Sequence, residues 1–116
     1  MFPEIRYLDG MIDRPVGVAL SAFVSEREWA QFHTAENLAK SISIEAGELL
    51  ECFQWKGDPD PQRVQEELAD VLTYCLLLAD RLSLDPDQIV IDKLELTAIK
   101  YPVEKARGRS DKYDRL

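Results

Sequence analysis

The segment that decides the fold, residues 61–82, reads PQRVQEELADVLTYCLLLADRL. Asp60 is a typical N-cap and Pro61 is tolerated in a first helical turn, so a helix is predicted to begin there. Its first half is amphipathic, whereas residues 71–79 are apolar on nearly every side. A helix that is apolar all round has to be buried all round, which a four-helix monomer of this size cannot easily provide. We therefore expect part of this helix to lie in a subunit interface.

The chain before this segment predicts two further helices. The first begins near residue 14, with a proline in its first turn. Its expected buried stripe consists of Leu20, Phe23 and Val24. Residues 25–28 have the spacing of a capping box, which favours a break or a restart at that point. A second helix begins after Thr34, a typical N-cap, and its apolar residues recur at threes and fours to about residue 53.

The chain after this segment predicts one more helix and a tail. Asp85 and Pro86 repeat the cap-and-proline signal, and the helix they open ends near Lys100, because Pro102 disfavours helical geometry at the residue before it. No segment shows sustained strand alternation, so the predicted class is all-α. We divide the chain into an N-terminal arm, residues 1–15, and a single helical domain, residues 16–116, which includes a basic C-terminal tail.

Length and composition restrict the class of protein. With 116 residues, of which 46% are apolar, the chain has enough material for one domain with one core. It contains no run of about 18 uncharged apolar residues and no basic region followed by an apolar stretch at the N-terminus. A net charge of −8 disfavours binding to nucleic acid or to an anionic membrane. Cys52 and Cys75 lie in apolar helical patterns and are interpreted as reduced core thiols, so we expect a cytoplasmic protein.

Four carboxylates are predicted to meet between the second and third helices. Glu45 and Glu48 are three residues apart, as are Glu67 and Asp70, and residues at that spacing share a helix face. Oxygen-only ligands with several negative charges select Mg²⁺ or Mn²⁺ over zinc, and Mg²⁺ usually shares its coordination shell with phosphate oxygens. The pattern therefore favours a metal site for a phosphorylated substrate. The alternative is that all four are solvated surface acids.

Other types of site are not supported by the sequence. Di-iron bundles need Glu-x-x-His pairs, and the single histidine, His33, follows none of these acids at that spacing. There is no Gly-rich phosphate loop, zinc-ligand spacing or nucleophile elbow. Trp29, Trp55 and Tyr74 are candidates either for stacking on a nucleobase or for core packing. A basic group near the C-terminus either closes over a triphosphate or is a solvated tail; it comprises Lys93, Lys100, Arg107, Arg109 and Lys112.

Taken together, several short motifs resemble one known family. They are W-x-x-F-H at 29–33, E-A-G-E at 45–48, F-Q-W at 53–55, E-E-L-A-D at 66–70, Y-P at 101–102, A-R-G at 106–108 and K-Y at 112–113. Over residues 20–116 the chain is similar to the MazG-like, all-α nucleoside triphosphate pyrophosphohydrolases. Within that family it resembles the dCTP pyrophosphatase branch most.

The resemblance implies a four-helix bundle of the MazG-like type, with helices shared across a dimer interface, that works as a dimer or a dimer of dimers. It implies cleavage of (deoxy)nucleoside triphosphates to the monophosphate and pyrophosphate, which removes unwanted nucleotides from the pool. The implied Mg²⁺ ligands are Glu45, Glu48, Glu67 and Asp70, and Glu48 is expected to orient or deprotonate the attacking water. The implied base-pocket residues are Trp29, Trp55 and Tyr74. The residues implied near the phosphates are Lys93, Arg107, Lys112 and Tyr113.

Two positions depart from the dCTP branch and leave the base preference open. Thr97 stands where that branch has an asparagine near the sugar and base, and Leu20 stands where it has a histidine that contacts the base. The candidate substrates therefore include dCTP, modified dCTP, dUTP, oxidised nucleotides or a broad set of triphosphates. An alternative of a different class is a non-catalytic helical oligomer that binds a nucleotide or a partner protein.

Overall fold

The computed structural model describes residues 15–116, and within this range it is helical and contains no strand. The prediction of an all-α protein is confirmed. The predicted N-terminal arm lies outside the described residues, apart from Pro15. The elements are α1 (Pro15–Glu26), a 3₁₀ turn (Trp29–Phe32), α2 (Ala35–Glu51), α3 (Pro61–Arg81), α4 (Pro86–Lys100), α5 (Val103–Ala106) and a second 3₁₀ turn (Tyr113–Arg115).

The helix starts follow from local capping chemistry. The Thr34 hydroxyl accepts a hydrogen bond from the Asn37 N–H at 3.1 Å, and an Asp60 carboxylate oxygen accepts one from the Gln62 N–H at 3.0 Å. Each cap satisfies a backbone donor that has no partner within its helix, which stabilises the helix by about 1 kcal/mol. The predicted starts of α2 and α3 are therefore confirmed. Helix α2 ends at Glu51, slightly before the predicted residue 53.

The predicted break after α1 is present but is made by a backbone turn. Helix α1 ends at Glu26, and Glu28 adopts a left-handed conformation with φ 52°. The Glu28 N–H donates to the Ser25 carbonyl at 3.1 Å, whereas the Glu28 side chain makes no cap hydrogen bond among the described residues. The turn redirects the chain into the 3₁₀ turn that carries Trp29.

The chain divides into two compact units, up to Asp85 and from Pro86 onward. In the first unit α2 and α3 pack against each other as an antiparallel hairpin. Leu38, near the start of α2, belongs to the same buried cluster as Leu77, near the end of α3, together with Val24 from α1. At the opposite end of the hairpin the Arg63 guanidinium lies 3.7 Å from the Glu51 carboxylate. This antiparallel arrangement sets which residues of α2 and α3 face each other.

Phe23 departs from the predicted buried stripe of α1. Val24 is buried and Leu20 is partly buried, but Phe23 is 43% exposed. Its ring meets the Trp29 ring edge-on, with centroids 5.5 Å apart, and the Arg27 guanidinium lies 3.8 Å from the ring centroid. Contacts with these amphipathic side chains replace burial in the core, so this part of the prediction was wrong.

Apolar residues remain exposed on the α2–α3 hairpin. Among the described residues the buried apolar side chains are Val24, Leu38, Leu77 and Ala79. On α3, Leu68 and Leu72 are 45% and 54% exposed, although the sequence of this helix requires burial on nearly every side. The subunit interface that would cover them stays a prediction.

The second unit consists of α4, α5 and the tail. The Tyr113 N–H donates to the Tyr101 hydroxyl at 3.2 Å, and the two rings pack edge-on with centroids 6.1 Å apart. The Lys100 ammonium lies 5.0 Å from the Tyr113 ring centroid, within cation–π range. The tail therefore folds back onto the end of α4. None of the helices within residues 15–116 has the length and apolar character needed to cross a membrane.

Candidate active site

The α2–α3 hairpin brings the four predicted carboxylates together. Oxygen atoms of Glu45, Glu67 and Asp70 all lie within 4.8 Å of one another. The Glu48 carboxyl group lies close enough to raise the pKa values of both Glu45 and Glu67. Two acids come from one turn of α2 and two from one turn of α3, as the three-residue spacing predicts. We call these four residues the acid cluster.

The acid cluster raises the pKa values of its own members. Burial, the hydrogen bond to Glu48 and the charges of Glu48, Asp70 and Glu67 together raise the pKa of Glu45 from 4.5 to about 7. Burial, the charge of Glu48 and its hydrogen bond also raise the pKa of Glu67, although Arg63 acts in the opposite direction. Carboxylates this close cannot all stay charged unless a proton or a cation compensates them.

Two oxygen atoms of the acid cluster are left without donors. Glu45 Oε2 and Glu67 Oε2 are buried, and neither has a hydrogen-bond partner within the described residues. Buried carboxylate oxygens normally accept hydrogen bonds or bind a cation. A donor set made only of carboxylate oxygens suits a hard divalent cation such as Mg²⁺ or Mn²⁺. The acid cluster therefore has the chemistry of a metal site.

A cavity of about 430 Å³ adjoins the acid cluster. Asp70 belongs to both, because it offers an oxygen to the cluster and also lines the cavity. The volume lies in the range of small-molecule pockets in proteins. We call this cavity the pocket; it is lined by Val16, Ala19, Leu20, Phe23, Val24, Trp29, His33, Asp70, Thr73, Tyr74 and Leu77.

The pocket contains some of the predicted substrate-binding residues but not all of them. Trp29 and Tyr74 line it. Leu20, which stands where the dCTP branch has a histidine, lines it as well. Trp55 is 79% exposed in the turn after α2 and is not among the residues that line this pocket. The other predicted substrate-binding residues belong to the second unit, and their roles stay predictions: Lys93, Thr97, Arg107, Lys112 and Tyr113.

Two polar residues of the pocket were not predicted as site residues. His33 lies in the pocket wall, and its burial lowers the pKa of the imidazole. Thr73 lies one turn beyond Asp70 on α3 and faces the same pocket. The three- and four-residue spacing from Asp70 to Thr73, Tyr74 and Leu77 was the available signal, since these residues share one helix face.

Comparison with known proteins decides the family. The sequence model of the MazG-like family matches residues 40–116, which is more than half of the chain. This chain belongs to the MazG-like family. The predicted resemblance is confirmed, and the matched region of this MazG-like chain includes the whole acid cluster.

Individual relatives of this MazG-like chain are named as pyrophosphatases. It is 44% identical to mouse dCTP pyrophosphatase 1 and 42% identical to the human protein of that name, in each case over 104 residues. These alignments cover 81% of this chain and 61% of the relatives, so the chain spans about three fifths of the length of the curated relatives it matches. The crystal structure of a pyrophosphatase from Archaeoglobus fulgidus is 39% identical, with a TM-score of 0.67, and the match covers 83% of this chain and 93% of that one.

Proposed function

We propose that this chain is a Mg²⁺-dependent nucleotide pyrophosphohydrolase, which cleaves a (deoxy)nucleoside triphosphate to the monophosphate and pyrophosphate. The observation that carries the proposal is the acid cluster, with its two partnerless buried oxygens, beside a pocket that shares Asp70. Support also comes from the relatives named dCTP pyrophosphatase and from the related pyrophosphatase structure. The biological role would be sanitation of the cytoplasmic nucleotide pool.

The acid cluster would supply both the metal ligands and the general base of this reaction. Glu45, Glu67 and Asp70 would hold the divalent cation, together with Glu48. A bound Mg²⁺ lowers the pKa of a coordinated water and offsets negative charge in an in-line displacement. The Glu48 carboxylate, a neighbour of both Glu45 and Glu67, would orient the attacking water and accept its proton. Mn²⁺ would satisfy the same oxygen ligands.

The pocket would hold the nucleoside while the phosphates reach toward the acid cluster. Trp29 and Tyr74 supply aromatic rings that can stack on a base, since every nucleobase has a π-face. On the basis of the family resemblance, Trp55 and Thr97 contribute to base and sugar binding. The same resemblance assigns the phosphates to Lys93, Arg107, Lys112 and Tyr113.

Replacing Trp29 with alanine should raise KM about 5- to 150-fold, because base stacking contributes about 1–3 kcal/mol. The measurement is the rate of pyrophosphate release as a function of nucleotide concentration. Phe32→Ala is the matched control, because Phe32 is an exposed aromatic residue of the same 3₁₀ turn and does not line this pocket. Equal KM values for the parent and Trp29→Ala would show that this ring does not contact the base.

The experiment that tests the proposed function is a pyrophosphate-release screen. It covers the common ribo- and deoxyribonucleoside triphosphates, 5-methyl-dCTP and 8-oxo-dGTP, each with and without Mg²⁺. We expect metal-dependent release from at least one base class. If nothing is released although the protein binds Mg²⁺ and a nucleotide, the chain is a non-catalytic nucleotide-binding bundle and the proposed reaction is wrong.

We further propose that a second copy of the chain covers the exposed apolar residues of α3. Light scattering at micromolar concentration is expected to give the mass of a dimer or a tetramer. Leu72→Glu should lower this mass, because it places a charge at a 54% exposed apolar position of α3, whereas Leu72→Met should not. A well-folded parent protein that is monomeric under these conditions would contradict the proposal.

A further inference from the structure

Among the described residues five polar side chains line the pocket, and they differ in how freely they can match a ligand. Asp70 is committed to the acid cluster, and the Trp29 indole can only donate. The remaining three are His33, Thr73 and Tyr74, and the other lining residues within 15–116 are aliphatic or aromatic. A buried polar edge of a ligand must find partners among these few groups, because an unpaired polar atom in such a wall is costly. Discrimination between ligands therefore depends on which of these three residues is restricted to donating or to accepting a hydrogen bond.

The Thr73 hydroxyl already donates its proton within the helix, so it can act only as an acceptor toward a ligand. Its hydroxyl donates to the Ala69 carbonyl, one turn earlier in α3, with an oxygen–oxygen distance of 2.8 Å. Because the hydroxyl proton is engaged inside the helix, the oxygen has only lone pairs to offer a ligand. Turning the proton toward a ligand would give up the bond to Ala69. Thr73 is therefore a hydrogen-bond acceptor at this position of the wall.

His33 and Tyr74 can adapt to either kind of partner. Burial lowers the pKa of His33, so its imidazole is neutral near pH 7. A neutral imidazole has one donor nitrogen and one acceptor nitrogen, and the two tautomers exchange these roles. The Tyr74 hydroxyl can donate or accept by rotation. Neither residue by itself distinguishes a ligand donor from a ligand acceptor, so Thr73 is the polar group that can do so in the described part of the wall.

We propose that Thr73 is a specificity-determining residue, which favours nucleotides whose base presents an exocyclic amino group over nucleotides that present a carbonyl oxygen at the same place. The inference rests on the proposed function, because it assumes that the pocket holds the base. Cytosine and adenine carry such an amino group, whereas uracil and thymine carry a carbonyl oxygen. An amino group donates to the Thr73 oxygen, whereas a carbonyl oxygen would face its lone pairs.

The test compares Thr73→Val, which removes the acceptor at similar volume, with Thr73→Ser, which keeps it. Values of kcat/KM from pyrophosphate release are measured for dCTP, dATP, dUTP and dTTP. Binding of the non-hydrolysable α,β-imido analogues of the same four nucleotides is measured in parallel by calorimetry. The parent is expected to prefer amino-bearing bases, and Thr73→Val should reduce that preference about five- to tenfold. Thr73→Ser should retain it, and the dCTP and dATP arms show which amino-bearing base fits.

Each outcome separates this inference from the proposed reaction. Equal losses for amino-bearing and carbonyl-bearing bases in Thr73→Val would overturn the inference, because the residue would then have only a structural role. A parent that prefers uracil or thymine, or shows no base preference in binding, would also overturn it. Base-selective binding that Thr73→Val weakens, without pyrophosphate release from the parent, would support the inference and refute the proposed reaction.

Discussion

Asp70→Asn is expected to lower Mg²⁺-dependent pyrophosphate release by at least about 10²–10³-fold, with the helical circular dichroism of the parent retained. The substitution keeps the size of the side chain but removes the charge of a carboxylate shared by the acid cluster and the pocket. Glu48→Gln should have an effect of the same order, because glutamine cannot accept a proton from the attacking water. Initial rates are measured with the triphosphate that the release screen identifies.

Glu66→Gln is the matched control for this prediction. Glu66 is next to Glu67 on α3, but its carboxylate is exposed and accepts a hydrogen bond from Gln62 Nε2 at 3.0 Å. Its substitution removes the same charge from the same helix and should leave the rate within about twofold of the parent, as surface substitutions away from a site do. If Asp70→Asn and Glu48→Gln hydrolyse the substrate as fast as Glu66→Gln, the acid cluster is not the catalytic centre.

The metal-free protein is expected to become less stable as the pH rises from about 5 to 8. The pKa of Glu45 is about 7 in the folded chain and 4.5 ordinarily, so between these values the folded state binds more protons than the unfolded state. The free energy of unfolding therefore falls as the pH rises through this window. Mg²⁺ should raise Tm more at pH 8 than at pH 5.5, because protons compete with the cation for the same oxygens. Thermal unfolding followed by circular dichroism measures both effects.

Two variants on α2 distinguish the effect of the acid cluster on the pH dependence of Tm from the effect of net charge. The net charge of −8 also changes with pH, so the comparison needs a substitution that removes one negative charge elsewhere. Glu36→Gln does this at an exposed residue whose carboxylate lies 3.1 Å from the Lys40 ammonium. Glu45→Gln should flatten the dependence of Tm on pH, and Glu36→Gln should leave it close to that of the parent. A slope that is the same in all three proteins would refute the assignment to Glu45.

The sequence was informative wherever a feature depends on neighbouring residues. Thr34 and Asp60 predicted helix starts because an N-cap acts within a single turn. The acid cluster followed from two three-residue spacings together with the assumption that α2 and α3 pack side by side. The family resemblance rested on motifs spread along the chain, and the match over residues 40–116 confirmed it.

The features that the sequence did not predict depend on contacts between different helices and turns. Phe23 has the right spacing for burial in α1, but the turn at Glu28 brings Trp29 against its exposed side. The pocket forms where α1 and the first 3₁₀ turn pack against α3, so periodicity within a single helix did not reveal that His33 belongs to its wall. Trp55 lies in a turn, where no helical period constrains the direction of a side chain, and its role in base binding stays a prediction.

Helix α3 also acts as a molecular ruler. It carries Asp70 of the acid cluster and Leu77 of the pocket wall, and seven helical steps of about 1.5 Å set these two points about 10 Å apart along the axis. The distance along the axis between Asp70 of the acid cluster and Leu77 of the pocket wall is therefore fixed by residue count and not by loop conformation. One inserted residue after Asp70 would turn Thr73, Tyr74 and Leu77 by roughly 100° about the axis. A substitution changes one side chain and keeps this alignment, whereas an insertion or deletion between Asp70 and Leu77 would turn the pocket residues away from the face that carries Asp70.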